Sequence, residues 1–478
     1  MVVFTPYVSF SMEEVTESSF VGSSVDRTEQ LNNFRQRSKE ILDPKNKSKM
    51  LIRSNKFYSC GYLVKEELQR KSSFIIEDKQ ILGRHTNIQQ ISLLNDWLRE
   101  KKEDTYKKIS RIEIEIILGP DREYYLSFVG RNRKENKGNS MEITRKIVHN
   151  AQFEYGGFTF QCNEINNTND LNNNFNIKDC NDAKVNNTRD VKETTKGGHD
   201  TVIVGEDHVF KEITHKNIKS SLIEYQNYLK LNLLKNQTNE LSEFIPEVDK
   251  FSGICKNDTT ASSGNIQRYY LKISKSKGEA IDLKLGKNTA SYDFQHYQLN
   301  KTHFRTKLKM LKHWFIDHTT SSHSQNVRVE GIIGPDKDER PTRRNLQVSF
   351  PRSMQLFLKK LPEDERSKVF NDCKEKVEKL NKVLRNLFGK DGRHSARFTG
   401  ASLLLSYDKN ANACNVKMID FANSTIIIGK DKLSEDRRKM YYENNHNQIM
   451  IGLNNIIKSL GTVFSPSSFC QTDANLSD

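Results

Sequence analysis

Two short stretches of this sequence carry residue types that could act together on a phosphoryl group. Asp282-Leu-Lys284-Leu-Gly286 closes one apolar run, and Asp420 closes another, Val416-Lys-Met-Ile-Asp420. In an Asp-x-Lys on a strand, both side chains leave the same face, two residues apart. A carboxylate and an ammonium so placed can act on one hydroxyl and its incoming phosphoryl group. Phosphoryl transfer needs few covalent actors: a carboxylate to hold Mg²⁺, lysines to neutralise the moving charge, and a group to orient the attacking hydroxyl. Taken alone, an Asp-x-Lys at a strand end is more often an ordinary surface pair. The chain has neither a Walker P-loop nor a GxGxxG loop, so a nucleotide would need another cradle.

The elements that must position these residues can be read from periodicity. Thr201–Val204 and His208–Ile213 read as two strands across a Gly205-Glu206-Asp207 turn, and Leu222–Leu234 as a helix. Tyr269–Ile273, Ile281–Leu285 and Val327–Ile333 read as strands, Ser402–Tyr407 with Asn415–Phe421 as a hairpin, and Gln448–Leu460 as a last helix. Residues 352–388 carry helical periodicity through Met354, Leu358, Leu361, Val377, Leu380, Val383 and Leu387. Between Asn300 and Trp314, Lys301, Arg305, Lys309 and Lys312 fall on one helical face, with Leu308, Leu311 and Phe315 on the other.

Upstream, Ile88, Ile91, Leu94 and Leu98 recur at helical spacing, while Ile112, Ile114 and Ile116 alternate with Glu113 and Glu115 ahead of a second strand at Tyr124–Val129. The expected organisation is a mostly disordered arm (1–56), a small α+β module without recognisable chemistry (57–160), a linker (161–193), a catalytic domain (194–465) and a disordered tail (466–478). The linker expectation rests on eleven asparagines among residues 162–190, too few apolar side chains there to offset the ordering entropy.

The 478 residues include 76 Lys plus Arg against 61 Asp plus Glu, a net charge of +15, which favours polyanionic partners. No stretch approaches the ~20 apolar residues that span a bilayer. The N-terminus has a short apolar run without a basic flank and reads poorly as a signal peptide, so the expected compartment is the cytoplasm, with the nucleus also open. Seven cysteines, at 60, 162, 180, 255, 373, 414 and 470, form no CxxC pair; their odd number and wide spread argue against a disulfide framework and a structural zinc site.

An ordered set of motifs then runs along residues 194–462: Gly197-Gly198-His199, Lys211, Phe244-Ile-Pro246, Asp282-x-Lys284-x-Gly286, Thr320-Ser321 with Val327-Arg-Val-Glu-Gly331, Ser402-Leu-Leu-Leu-Ser-Tyr407-Asp408, Lys417-Met-Ile-Asp420-Phe-Ala422 and Gly452-Leu-Asn-Asn-Ile-Ile457. The set resembles the inositol polyphosphate kinase family from end to end. The resemblance implies an α+β, two-lobed, protein-kinase-like fold with an ATP cleft between the lobes. By position it implies that Lys211 grips ATP phosphates, that Asp420 is the magnesium carboxylate, and that Ser402 lies near the metal and phosphates. It further implies that Asp282 orients or deprotonates the inositol hydroxyl, that Lys284 contacts the transferred group and the substrate, and that Gly286 has a structural role. Lys287, Lys301, Arg305, Lys309 and Lys312 are the expected substrate-binding cations, and Glu224 is a candidate partner for Lys211.

The sequence departs from the family pattern at Gly278, where proline is usual, at Lys272, where an acidic hinge residue is usual, at Gly400 and Ala401, and at Asn423. The resulting expectation is an ATP- and Mg²⁺-dependent kinase acting on an inositol polyphosphate, of multikinase or hexakisphosphate kinase type. The competing reading is a catalytically inactive kinase-like protein that binds inositol phosphates, anionic lipid or nucleic acid. No aromatic row interleaves the lysines as single-strand binders require, which disfavours nucleic acid.

Overall fold

Short alternating runs such as Ile112–Ile116 can hide their apolar face only by pairing into a sheet that is covered on one side. In the computed structural model Ile114 and Ile116 do so within a strand, while Ile112 stands ahead of it, 41% exposed. The structure describes residues 56–62, 73–77, 80–118, 123–128, 143–175, 177–180, 202–237, 239–249, 253–261, 264–287, 315–333, 350, 357, 363–429 and 447–462. Upstream come β1 (Tyr58–Tyr62), β2 (Ser73–Ile75), β3 (Gln80–Leu82), α1 (Gln89–Lys101), α2 (Glu103–Lys108), β4 (Ile114–Leu118), β5 (Tyr124–Phe128), β6 (Ile143–Lys146), β7 (Ala151–Tyr155) and β8 (Phe158–Glu164). They form two antiparallel sheets, β2-β1-β8-β7 and β3-β4-β5-β6. Ile91, Leu94 and Leu98 of α1 are buried, as their spacing predicts, in a core that includes Phe153 and Phe160.

The second part begins with α3 (Asp170–Asn174), β9 (Lys178–Asp179), β10 (Val202–Val204), β11 (His208–Ile213), α4 (Ile218–Gln237), β12 (Ile254–Ala261) and β13 (Gly264–Ser274). Its sheet runs β10-β11-β13-β12-β9. There follow β14 (Glu279–Leu285), α5 (Ser321–Gln325), β15 (Val327–Ile333), α6 (Glu363–Phe388), β16 (Ser395–Arg397), β17 (Ser402–Asp408), β18 (Ala413–Ile419), β19 (Thr425–Ile427) and α7 (Asn447–Thr462). Here β15-β14-β17-β18 form a four-stranded antiparallel sheet, with β16 and β19 as a separate pair. The α+β character expected from the sequence is thus present, with several sheets and helices packed on them. Among the described residues no helix is long and apolar enough to cross a membrane.

Helix α4 lies in the interior, and every residue from Ser221 to Leu231 is buried. A helix buried all round is normally apolar all round, but α4 carries Glu224, Gln226, Asn227 and Lys230 within that stretch. Buried polar groups need partners, and the partners of this helix organise the site described below.

Three expectations need correction. Cys60 bonds Cys162, Cys180 bonds Cys255 and Cys373 bonds Cys414, across sequence separations of 102, 75 and 41 residues. Sheet register brings the first pair together, because Cys60 stands opposite Cys162 on β1 and β8; spacing along the chain carries no such information. Next, the Asn-rich segment is ordered over part of its length. Ile165, Leu171 and Phe175 enter the core of the second part, and β9 adds a parallel strand to β12. Three apolar side chains and a disulfide suffice where an existing sheet edge receives them. Finally, the upstream module extends to Glu164. Residues 1–55, 181–193 and 466–478, expected as arm, linker and tail, lie outside the described residues.

Candidate functional site

The four-stranded sheet lines up the expected residues. Lys284 pairs with Arg328 of β15 on one side and Ser402 of β17 on the other, and Ser402 pairs with Ile419 of β18, one residue before Asp420. Lys284 Nζ therefore reaches both Ser402 Oγ, at 3.2 Å, and Asp420 Oδ2, at 3.0 Å. Asp282, two residues earlier on the same face of β14, stands opposite Leu404.

Asp420 itself takes a left-handed conformation, φ 65° and ψ 56°, at the turn from β18 into Phe421–Asn423. Non-glycine residues adopt this conformation rarely, and aspartate is among those that tolerate it. The turn is held from α4: Asn227 Nδ2 donates to Phe421 O and Ser424 O, both at 2.9 Å, and the Tyr228 ring meets Phe421 edge-on at 5.1 Å. Lys211 of β11 closes the constellation. Its ammonium donates to Glu224 Oε1 of α4 at 2.7 Å and to Asp420 Oδ1. Lys211, Asp282, Lys284, Ser402 and Asp420 are thus brought together, with Glu224 as the partner of Lys211.

Titration separates the two aspartates. Burial works to raise the Asp420 carboxyl, but the Lys211 and Lys284 ammoniums outweigh it and hold the group well below the usual carboxylate range. Burial pushes Asp282 up to about 6; Lys284 opposes the rise, while Asp420 and Glu330 add to it. Burial lowers both lysines, but Asp420 and Glu224 raise Lys211 well above its ordinary value, and Asp420, Asp282 and Glu330 raise Lys284. Two carboxyls driven apart in this way mark one as a permanent anion and the other as a proton acceptor near neutral pH.

A divalent cation fits this donor set. Magnesium takes one or two protein carboxylates and draws its other ligands from phosphates and water. Asp420 supplies an ionised carboxylate, and Asp282 Oδ1 is buried with no hydrogen-bond partner among the described residues. No three-residue cluster of acidic, histidine or cysteine ligands occurs among the described residues.

Sequence reasoning missed four residues. Asn227 and Tyr228 follow Glu224 at helical spacings of three and four, so that spacing was the available signal. Arg328 and Glu330 alternate on β15 and share a face. Arg328, 3% exposed, donates to Glu330 Oε2 at 3.0 Å, to Ser322 Oγ at 3.3 Å and to Asp317, forming a buried charge network beside Asp282 and Lys284. Among the expected substrate-binding cations, Lys284 is in the site and Lys287 follows directly after β14; Lys301, Arg305, Lys309 and Lys312 lie outside the described residues.

The departures have structural accounts in part. Gly278 has φ 85°, and a Cβ there would sit 1.6 Å from Tyr407 O, so the usual proline has no room. Lys272 is held in its strand by its N–H donating to Gly253 O at 2.9 Å. Gly286, at φ 95°, ends β14 by donating to Asn326 O at 2.8 Å. A Cβ on Gly452 of α7 would come within 2.5 Å of that same Asn326 oxygen, so the helix lies directly against the end of the Asp-x-Lys strand.

Residues 273–461 match the inositol polyphosphate kinase family. Among solved structures, one similar chain is the inositol phosphate multikinase Ipk2 of S. cerevisiae in complex with ADP and Mn²⁺; it is 14% identical, with a TM-score of 0.34 over 54% of this chain and 98% of that one. Another, from structural studies and protein engineering of inositol phosphate multikinase, is 15% identical, with a TM-score of 0.31 over 50% of this chain and 98% of that one. No curated protein matches the chain.

Proposed function

Residues 273–461 belong to the inositol polyphosphate kinase family, and from that premise we propose that the chain transfers the γ-phosphoryl group of ATP, with Mg²⁺, to an inositol polyphosphate. The observation that carries this reading is geometric: the Lys284 ammonium donates to Asp420 Oδ2 at 3.0 Å and to Ser402 Oγ at 3.2 Å, Lys211 donates to the other Asp420 oxygen, and Asp282 lies two residues from Lys284 on the same face of β14. A purely binding surface for polyanions has no use for two carboxyls inside a basic site, where they would repel the ligand.

In the proposed reaction the acceptor oxygen bonds to the γ-phosphorus as the bond to the ADP oxygen breaks. The hydroxyl proton passes to Asp282, and the electron pair of the broken bond stays on ADP. An alkyl hydroxyl titrates far above neutral pH, so positioning and charge neutralisation carry most of the catalysis. Lys284 is placed to neutralise the transferring group, and Lys211 to hold the phosphates of the nucleotide. A magnesium ion on Asp420, when bound, would neutralise phosphate charge. Lys287, with Lys301, Arg305, Lys309 and Lys312 of the basic segment, would receive the substrate phosphates.

The short stretch between Gly253 and Asp282 supports a compact, multikinase-like member; hexakisphosphate kinase is the other subclass. The expected cytoplasmic or nuclear compartment and the three disulfides pull in opposite directions, because thiols there are kept reduced. Thiol labelling in intact cells decides between them. The function is tested by ATP turnover over a panel of inositol tris- to hexakisphosphates, with an Asp282→Asn, Asp420→Asn double variant as control. Transfer abolished in the variant supports the reading; no transfer to any acceptor by the unaltered chain refutes it.

A further inference from the structure

Helix α4 presents two opposed polar faces. Glu224, Asn227 and Tyr228 look toward Lys211 and the turn after Asp420. Lys230 lies on another side of the helix, together with Gln226, and pairs with Glu77 of the upstream module. The Lys230 side chain is 8% exposed, and the Glu77 carboxylate is its ion-pair partner.

Glu77 is held for the task. It leaves β2 in a turn closed by one side chain: Gln80 Oε1 accepts from the Glu77 N–H at 3.0 Å, and Gln80 Nε2 donates to Ile75 O at 2.7 Å. Ile75 itself enters the core around α4, and Phe57 packs against that core, while the rest of the module keeps a hydrophobic cluster of its own. Helix α1 also packs on α4. Gln90 on α1 and Gln226 on α4 each bury both side-chain polar atoms without a hydrogen bond among the described residues. The module therefore meets α4 through Ile75 and Phe57 on the apolar side and through the Glu77–Lys230 ion pair on the polar side.

We propose that residues 57–164 act as a built-in clamp on α4, with Glu77 and Lys230 as positioning residues that hold Glu224, and through it Lys211, in register for the nucleotide. The inference rests on the kinase reading of the site. It gives the module a role that its lack of catalytic residues leaves open: one rigid helix carries the module's grip on one side and the lysine partner on the other. A shift or rotation of α4 would move Glu224 and the Asn227 anchor of the Asp420 turn together.

The test uses the full chain with Glu77→Gln, Lys230→Gln and the charge swap Glu77→Lys, Lys230→Glu. Either single variant is expected to raise the KM for ATP about tenfold, to weaken Mg-ATP binding by calorimetry to the same extent, and to leave the KM for the inositol phosphate unchanged. Amide exchange in residues 221–231 is expected to accelerate in both. The swap is expected to restore ATP affinity and exchange protection. Single variants with unaltered ATP affinity and α4 exchange would overturn the clamp, as would a swap that melts like the parent chain yet regains neither property. Binding of Mg-ATP without transfer by the parent chain would refute the kinase reading alone, since affinity and exchange still report on the clamp.

Discussion

Asp282 and Asp420 both interact with the Lys284 ammonium, yet one carboxyl is pushed up to about 6 and the other held well below the carboxylate range. The difference has a geometric origin. Asp420 receives Lys211 and Lys284 on its two oxygens, whereas Asp282 keeps one buried oxygen without a hydrogen bond and faces the charges of Asp420 and Glu330.

The pH dependence of transfer follows. Asp282 accepts a proton only in its ionised form, so kcat is expected to rise about tenfold per pH unit below pH ~6 and to level off above it. Asp282→Asn is expected to lose at least about 10²-fold in kcat together with this limb. A pH profile of kcat checks both.

The same group sets a stability trend of opposite sign. Its folded pKa lies above the unfolded value near 4, so the folded chain binds the proton more tightly. That contribution is present at low pH and is lost as pH rises through about 6. Asp282→Asn, which cannot ionise, is therefore expected to be more stable than the parent above pH 6, by on the order of 1–3 kcal/mol. Paired thermal melts at pH 5 and pH 7.5 measure the difference, and equal shifts at both would count against it.

Removing Lys211 leaves the buried Glu224 without its ammonium and relieves Asp420 of one of its two cations. Lys211→Ala is expected to destabilise the chain by about 3 kcal/mol and to reduce kcat/KM for ATP by about 10³-fold or more. Denaturant unfolding and steady-state kinetics read the two losses separately.

Three disulfides among the described residues join six of the seven cysteines, and the seventh, Cys470, lies outside those residues. Alkylation of the unreduced, denatured protein is expected to add one label, and alkylation after reduction seven, by intact mass. Cys373→Ser with Cys414→Ser, which frees α6 from β18, is expected to cost about 2–4 kcal/mol of stability.

Gly278→Ala places a Cβ against Tyr407 O at a positive φ that alanine disfavours. A loss of about 2 kcal/mol or more is expected by denaturant unfolding, with a larger loss for Gly278→Pro.

Much of this architecture was legible in the chain. Alternation located Val327–Ile333 as β15, and hairpin patterning paired Ser402–Tyr407 with Asn415–Phe421, because a sheet buried on one face writes a two-residue period. Asp282 and Lys284 could be read from spacing and Asp420 from its place at the end of an apolar run, whereas Lys211 and Ser402 came only through the family resemblance, since isolated residues on separate strands carry no local signal. The disulfides and the Glu77–Lys230 pair were illegible for a related reason. Each joins residues far apart in sequence, and only sheet register and helix packing bring them together. Arg328 and Glu330 were visible as an alternating pair, but their charges became informative only once β15 was known to lie beside β14.

The ordering of Ile165, Leu171 and Phe175 on the second core anchors the chain from the residue after β8 onward. Ile165 follows Glu164 directly, so one peptide link, about 3.8 Å between Cα atoms, joins the last strand of the module to that core. None of the three disulfides crosses the seam at α4, so Ile75, Phe57 and the Glu77–Lys230 pair hold the module to the helix without a covalent cross-link. Carrying the module and α4 on one chain makes their contact intramolecular, with an effective concentration of at least about the millimolar range. The same module supplied on a separate chain would have to reach millimolar levels to occupy α4 as fully.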